Sequence, residues 1–400
     1  QLLNNIRQDL AAIKNNRYIS VGADVAPAGF VSFDKFIQTA SKNEPPDPNL
    51  TDNDVYNIMY SSGTTGSPKG IIHTHYIRSC YCTLFASSFR MSPESIILHT
   101  GALVFNGAMM GFMPWMYLGC RYILHETYDP KRIIEEIESS QVTHIILVPS
   151  QIVELLNHQD FDPSRLTSLE MITSLGAPLL MEYKNKLKQL LPNRFYELYG
   201  LTEGFITCLD KNDALQKPRS VGVPLRFLEM KIVDTFGTEV ASGEVGEICG
   251  RGPLLTPGYY DSPDLTKQTI VDGWLHTGDA GYTDDDGFLY LVDRIKDIII
   301  SGGINIYPKD IEEIIVEHPL VAEVAVFGVP HDKWGEVPIA AVTLFMNAEL
   351  LETDLVSWIN ERVAAKFQRV LDCFIMANFP RNVAGKTLKR DIRDIYLNRK

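Results

Sequence analysis

The residues best equipped for chemistry lie between positions 60 and 70, in the string YSSGTTGSPKG. An apolar run over 55–60 predicts a short buried strand. It feeds directly into Ser61, Ser62, Gly63, Thr64, Thr65 and Gly66, and Lys69 closes the loop. Glycines let the backbone approach a ligand, so that successive N–H groups can point at phosphate oxygens. The hydroxyls add donors, and the lysine adds positive charge for a polyphosphate tail. The segment is not a Walker A loop, because Pro68 precedes the lysine and Gly70 follows it. Taken alone, the same composition also describes an ordinary surface loop.

The elements that would hold such a loop alternate along the chain. A helical stretch over 130–140 places Ile133, Ile134 and Ile137 on one face and is followed by an apolar strand at 144–149. A second apolar run, 169–175, precedes a helix around 180–191. Such alternation predicts a layered α/β domain with mostly buried strands. After about Lys217 the texture changes to short β-rich runs at 229–233, 246–249 and 288–292, split by Gly, Pro and Asp turns. These read as a small β-rich subdomain. The acidic turn at 283–287 reads as solvated. Beyond residue 295 the pattern becomes compact α+β. Ile311, Ile314 and Ile315 share a helix face, 321–329 reads as a strand and 355–363 as a second helix. The expected organisation is a large domain over 1–293 and a small one over 294–400.

The chain has 400 residues, 45% hydrophobic and 22% charged, with a net charge of −13. That balance fits a soluble globular protein and disfavours nucleic acid or an anionic membrane surface as main partner, since both want a basic face. An anionic small ligand needs only a few local donors. The uncharged stretch at 100–120 approaches the length of a membrane span, but its glycines, Pro114 and Asn106 break it into loop, short buried helix and strand. No transmembrane span is expected. The 6 cysteines are scattered, without metal-type spacing, which fits buried thiols in a reducing, cytoplasmic setting. No pattern speaks to oligomeric state.

The string SSGTTGSPKG resembles the phosphate loop of the adenylate-forming enzymes, which include acyl-CoA synthetases, carrier-protein adenylation domains and luciferases. Further motifs resemble theirs, in the family's order. Gly176, Ala177 and Pro178 look like the loop lining the adenine. Tyr199, Gly200, Leu201, Thr202 and Glu203 look like the core nucleotide motif, in which the tyrosine packs on adenine, the threonine meets the α-phosphate and the glutamate helps hold Mg²⁺. Asp279, in the string GWLHTGD, looks like the ribose-binding aspartate. Arg294 and Lys296, in DRIKD, look like a second ribose contact and the hinge residue. Gly302 and Gly303 look like the loop bordering the pantetheine tunnel, and Lys386, in GKTLKR, like the catalytic lysine. The resemblance covers nearly all of the chain after its first fifty residues or so.

What the resemblance implies is an ATP-dependent acyl-CoA synthetase, an enzyme whose C-terminal domain is mobile and turns between two half-reactions. Lys386, Thr202, Glu203 and Lys296 would be its catalytic residues, with ATP, Mg²⁺ and coenzyme A as cofactor and co-substrates, and a small-molecule carboxylic acid as substrate. It also implies that the front of the large domain is missing. An acyl pocket is expected around Phe105, Met109, Met110, Phe112 and Phe205, with Val104 where relatives often carry a histidine or aromatic residue. No basic residue stands in that stretch, which points away from dicarboxylate substrates. Two alternatives remain open: a standalone adenylation enzyme loading a carrier protein, and a non-catalytic nucleotide-binding relative.

Overall fold

The computed structural model describes residues 6, 9–10, 12–14, 17–22, 26–61, 68–346, 348–381 and 387–399. The chain divides into two compact units, Gln1–Thr51 and Asp52–Lys400. In the first, strands Ile19–Ser20 and Val31–Ser32 pair in parallel, and a helix spans Phe33–Gln38.

The second unit opens with an antiparallel hairpin, β1 (Val55–Ser61) and β2 (Lys69–Thr74), in register with Ser61 opposite Lys69. The buried strand expected at 55–60 is only partly enclosed: Val55, Tyr56 and Tyr60 are exposed. A two-stranded sheet has no second neighbour to cover every residue. Thr74 then caps helix α1 (His75–Ser88), its hydroxyl accepting from the Ile77 amide at 3.3 Å.

A seven-stranded sheet forms the body. In chain order its strands are β3 (Ile96–Thr100), β4 (Arg121–His125), β5 (His144–Leu147), β6 (Met171–Leu175), β7 (Phe195–Gly200), β8 (Ile206–Leu209) and β9 (Val223–Pro224). Their spatial order is β9-β8-β7-β6-β5-β3-β4, parallel from β7 to β4 and antiparallel at β8 and β9. The period-2 alternation of strand side chains sorts the core into two layers. Ile97, Met171 and Tyr196 pack with helices α1 and α2 (Asn106–Leu118). Leu98, Ile145, Ile172 and Phe195 pack on the other face with α3 (Pro130–Ser140), α4 (Pro149–Asn157) and α5 (Met181–Leu190).

Helix α3 matches its sequence pattern end to end. Pro130 opens it, the Asp129 carboxylate accepts from the Arg132 amide at 3.1 Å, and Ile133, Ile134 and Ile137 are fully buried. The stretch at 100–120 differs from expectation, since α2 is a 13-residue helix rather than a short one. Gly119, in the left-handed region at φ 70°, ends it before β4.

The β-rich subdomain comprises β10 (Glu229–Val233), β11 (Gly246–Arg251), β12 (Ile270–Val271), β13 (Trp274–Thr283) and β14 (Leu289–Arg294), ordered β10-β11-β13-β12 with β14 also on β13. The acidic turn between β13 and β14 is anchored: Lys217 bridges Asp284 at 2.6 Å and Asp286 at 2.8 Å.

Beyond it lie β15 (Ile299–Ser301), β16 (Ile304–Ile306), α6 (Pro308–Ile315), β17 (Val321–His331), β18 (Gly335–Leu344), α7 (Glu352–Arg362), β19 (Asp372–Ile375) and α8 (Lys389–Leu397). Ile311 and Ile315 of α6 pack with α7 on one face of this sheet, and α8 covers the other. The boundary expected at 293/294 falls inside the second unit. There the Asp293 carboxylate accepts from the Lys309 amide at 3.1 Å. Among the described residues, no helix is long and apolar enough to cross a membrane.

Candidate active site

Two of the motifs leave the sheet side by side. Gly176, Ala177 and Pro178 follow β6, and Leu201, Thr202 and Glu203 follow β7, its parallel neighbour. Open α/β sheets bind ligands outside the carboxyl ends of their strands, where the chain must turn and leaves backbone groups free. The turn after β7 is stiff. Leu201 donates to the Phe205 carbonyl and Gly204 to the Leu201 carbonyl, both at 3.0 Å. Gly204 sits at φ 114°, and a Cβ there would lie 1.9 Å from the Leu254 carbonyl oxygen. Only glycine fits, so the direction in which Thr202 and Glu203 project is set by backbone.

Segment 254–260 clamps this turn to the hairpin. The Thr256 amide donates to the Glu203 carbonyl at 2.8 Å, and the Thr256 hydroxyl donates to the Ile72 carbonyl at 2.7 Å. Tyr259 donates its phenol to Glu203 Oε1 at 2.8 Å, and Lys69 Nζ lies 5.4 Å from the centre of the Tyr259 ring. Lys69 and Glu203, 134 residues apart in the chain, thus share one tyrosine. Burial, then the Glu203 charge, pushes the Tyr259 phenol well above its usual range, keeping it a donor. His73 is fully buried, with Nε2 2.9 Å from the Thr202 carbonyl. Burial and the Arg78 charge lower its pKa to about 4, against the pull of that hydrogen bond. The ring is therefore neutral at pH 7, and it donates through Nε2.

On the other side of the turn, β7 meets the β-rich subdomain. Tyr199 donates to Asp279 Oδ2 at 2.8 Å, and Arg294 Nε stands 3.1 Å from Asp279 Oδ1. Asp279 and Arg294 are register partners on β13 and β14, so the sheet itself aligns the pair. Burial and the Asp279 carboxylate hold the Tyr199 phenol far above its ordinary value. Lys296 follows in a short 3₁₀ turn, Ile295–Asp297. Partial desolvation and the like charges of Arg294, Lys69 and Arg390 push its ammonium below the usual value, against Asp297. Lys296 with three further cations in its electrostatic reach makes a field suited to a polyanion.

Gly302 and Gly303 join β15 to β16 with φ 58° and 82°. Two consecutive positive φ values define the tight hairpin turn that favours a Gly–Gly pair. Trp334 packs over Gly302, with a hydrogen bond from the Gly302 amide to its carbonyl at 2.7 Å. Ser62, Gly63, Thr64, Thr65, Gly66 and Lys386 lie outside the described residues. Three positions after Lys386, Lys389 pairs with Glu312 of α6 at 2.6 Å. The Glu312 and Asp293 charges, overriding burial, raise its pKa.

The structure brings together Lys69, Tyr199, Thr202, Glu203, Asp279, Arg294 and Lys296. It does not bring Phe205 to an acyl pocket. Phe205, just before β8 begins at Ile206, is buried against Ile232, Ile248 and Leu275 in the β-rich core. Val104 and Phe105 are exposed before α2, while Met110 is core. Sequence reasoning missed Tyr259, Thr256 and His73. The available signal was Gly258 (φ 147°) before Tyr259: a Cβ there would lie 2.7 Å from Thr266, which marks a close backbone approach.

A family model described as AMP-binding enzyme matches residues 4–260, and one described as AMP-binding enzyme C-terminal domain matches 310–386. A medium/long-chain fatty-acid–CoA ligase of Mycobacterium tuberculosis is 38% identical over 330 residues, 81% of this chain and 56% of that protein. A feruloyl-CoA synthase of Amycolatopsis is 33% identical over 88% of this chain and 72% of its own length. Among solved structures, the AMP complex of the Bacillus subtilis o-succinylbenzoate–CoA synthetase superposes with a TM-score of 0.83 at 28% identity. It covers 91% of this chain and 74% of that one. The chain thus spans less than two thirds of the length of the mycobacterial ligase.

Proposed function

This chain belongs to the AMP-binding enzyme family, and from that premise we propose that it is an ATP-dependent acyl-CoA synthetase. The observation that carries the reading is the convergence of Lys69, Thr202 and Glu203 on one rigid turn, flanked by Asp279 and Arg294, at the carboxyl end of a parallel sheet. The similar ligases, which join acids to CoA, support a thioester product.

In the first half-reaction the substrate carboxylate attacks the α-phosphorus of ATP and pyrophosphate leaves. Charge grows on phosphoryl oxygens, so positioned donors and cations lower the barrier. Thr202 faces the α-phosphate, Lys69 and the glycine loop Ser61–Gly66 hold the leaving pyrophosphate, and Lys386 balances charge at the reacting centre. Asp279 accepts from the ribose hydroxyls, which a carboxylate does better than a neutral group. Arg294 orients Asp279. Gly176, Ala177, Pro178, Tyr199 and Gly200 form the walls of the adenine site. Glu203 suits Mg²⁺: among the described residues Tyr259 engages only one of its oxygens, and Mg²⁺ prefers one or two carboxylates plus substrate phosphates. Bound there, the ion would neutralise phosphate charge.

In the second half-reaction the CoA thiol attacks the acyl carbon and AMP leaves. Residues 294–400 turn about Lys296, withdrawing Lys386 and presenting Gly302 and Gly303 beside the pantetheine arm. Six unbonded cysteines suit a cytoplasmic setting.

The test is carboxylate-dependent ATP–pyrophosphate exchange over short, medium, long and aromatic acids, without CoA. Exchange with any of them is the expected result. A folded, ATP-binding chain that exchanges with none would overturn the reading in favour of a non-catalytic relative. Comparing CoA with a pantetheinylated carrier protein identifies the acceptor. Lys386→Ala should lower exchange at least about a hundredfold while thioester formation from supplied acyl-AMP persists.

A further inference from the structure

Outside the nucleotide residues, three metal-donor side chains meet on the β-rich sheet: Glu247 and Cys249 of β11 and His276 of β13. Cys249 and His276 are cross-strand register partners. Glu247 pairs with Ala280, so the register shifts between Glu247 and Cys249 and β13 bulges outward. The bulge lets Glu247 reach back to the imidazole, with Oε2 2.8 Å from His276 Nδ1, and Cys249 Sγ lies 3.5 Å from the same nitrogen. All three donor atoms fall within 4.8 Å of one another. The imidazole and carboxylate are about a quarter exposed, so a cation and one water can reach them.

We propose that Glu247, Cys249 and His276 form a binding site for a thiophilic divalent cation of the Zn²⁺ class, and that its occupation weakens nucleotide binding at Asp279. A tetrahedral cation with bonds of about 2.0 Å to nitrogen and 2.3 Å to sulfur holds those two ligands about 3.5 Å apart. Sγ and Nδ1 already stand at that separation. The nitrogen and a carboxylate oxygen would stand about 3.3 Å apart, so Glu247 must draw back by roughly half an ångström. A thiol and an imidazole select Zn²⁺ or Co²⁺ over Mg²⁺ and Ca²⁺, which prefer oxygen. Burial and Glu247 hold the Cys249 thiol up at about 12, so the cation displaces that proton as it binds. Lys231, the register partner of Cys249 on β10, works weakly against that rise, and its ammonium lies over the Trp274 ring at 4.5 Å.

Glu247 is also tied to the nucleotide side. Its other oxygen accepts from the Gly278 amide at 3.0 Å, and Gly278, at φ 70°, is the residue before Asp279. Withdrawing Glu247 toward a cation releases the turn that presents Asp279 to Tyr199 and Arg294. This consequence rests on the nucleotide role proposed for Asp279; the metal site itself does not.

The experiment titrates the metal-free chain with Co²⁺ and follows thiolate-to-cobalt charge transfer and tetrahedral d–d bands. Wild type should give both, Zn²⁺ should abolish them, and excess Mg²⁺ should not. Cys249→Ser should lose the charge-transfer band, and His276→Gln should weaken binding at least about tenfold. Cys80→Ser should behave as wild type, and thermal melting without metal checks that each variant folds. ATP affinity of wild type should fall several-fold with Zn²⁺ and stay constant in Cys249→Ser. An absent band, or one that survives in Cys249→Ser, overturns the site. An unchanged ATP affinity in the zinc-loaded protein overturns the coupling. Exchange activity without a cobalt band sinks this proposal alone, whereas a cobalt band in a chain that exchanges with no acid sinks the synthetase reading alone.

Discussion

Two ion pairs on and around β7 use similar chemistry for different ends. Lys184 and Glu197 pair inside the protein with side chains 9% and 5% exposed, and Lys184 also donates to the Pro218 carbonyl at 3.1 Å. Two residues further along the strand, Tyr199 reaches the second pair, Asp279 with Arg294, whose side chains are 11% and 36% exposed. The enclosed pair neutralises itself, with the Pro218 carbonyl as a further acceptor for Lys184. Burial raises the Glu197 pKa, and the Lys184 charge beside it only partly offsets that shift. In the second pair Asp279 is itself buried and Arg294 is the open member, and Asp279 is oriented by a phenol and a guanidinium. The exposure of the cation therefore separates the two pairs, and the more open one is the pair that the proposed function gives to the nucleotide.

The enclosed pair offers the largest test. Lys184→Met leaves Glu197 buried and unpaired, and should cost about 3–5 kcal/mol of unfolding free energy in urea. Exchange activity per folded molecule should stay near wild type; a loss of activity with unchanged stability would erase the distinction. His73 belongs with the enclosed groups and gives the next effect. Its pKa lies near 4 in the fold against 6.5 unfolded, so the unfolded chain takes up a proton first as pH falls. Its contribution is complete above pH 6.5 and drains away toward pH 4, about 2 kcal/mol of it between pH 7 and pH 5. His73→Leu should flatten that part of the stability profile.

The open pair predicts the reverse pattern. Asp279→Asn should weaken ATP binding about tenfold or more by calorimetry, while unfolding free energy falls by less than in Lys184→Met, because asparagine keeps an acceptor for the Tyr199 phenol. A large stability loss would place Asp279 with the enclosed group. The smallest effect is expected at Tyr259→Phe, which removes one hydrogen bond to Glu203. About 1 kcal/mol of stability should go, and the Mg²⁺ concentration for half-maximal exchange should rise a few-fold.

Much of this was legible before any coordinates. The isoleucines of α3 sit at helical spacing between Asp129 and Gln141, and helix 130–140 follows. The runs over 144–149 and 169–175 became the central strands β5 and β6, because a strand covered on both faces must be apolar throughout. The run over 55–60 resembles theirs in composition, but apolar residues alone do not say whether a neighbouring strand exists. Phe205 differs from expectation for a related reason, as an aromatic residue next to a binding motif can face either way.

The sequence by itself determined which residue types stand at which spacing, among them the proposed Lys69, Thr202, Glu203, Asp279 and Arg294, with glycines where φ is positive. Local spacing carries that information, since turn geometry and strand alternation act over a few residues. Only the tertiary structure decided that Tyr259 bridges Lys69 and Glu203, that His73 supports Thr202, and that Glu247, Cys249 and His276 meet behind Asp279. Those contacts join strands far apart in the chain, and their distances depend on sheet register, bulges and burial, which no local pattern encodes.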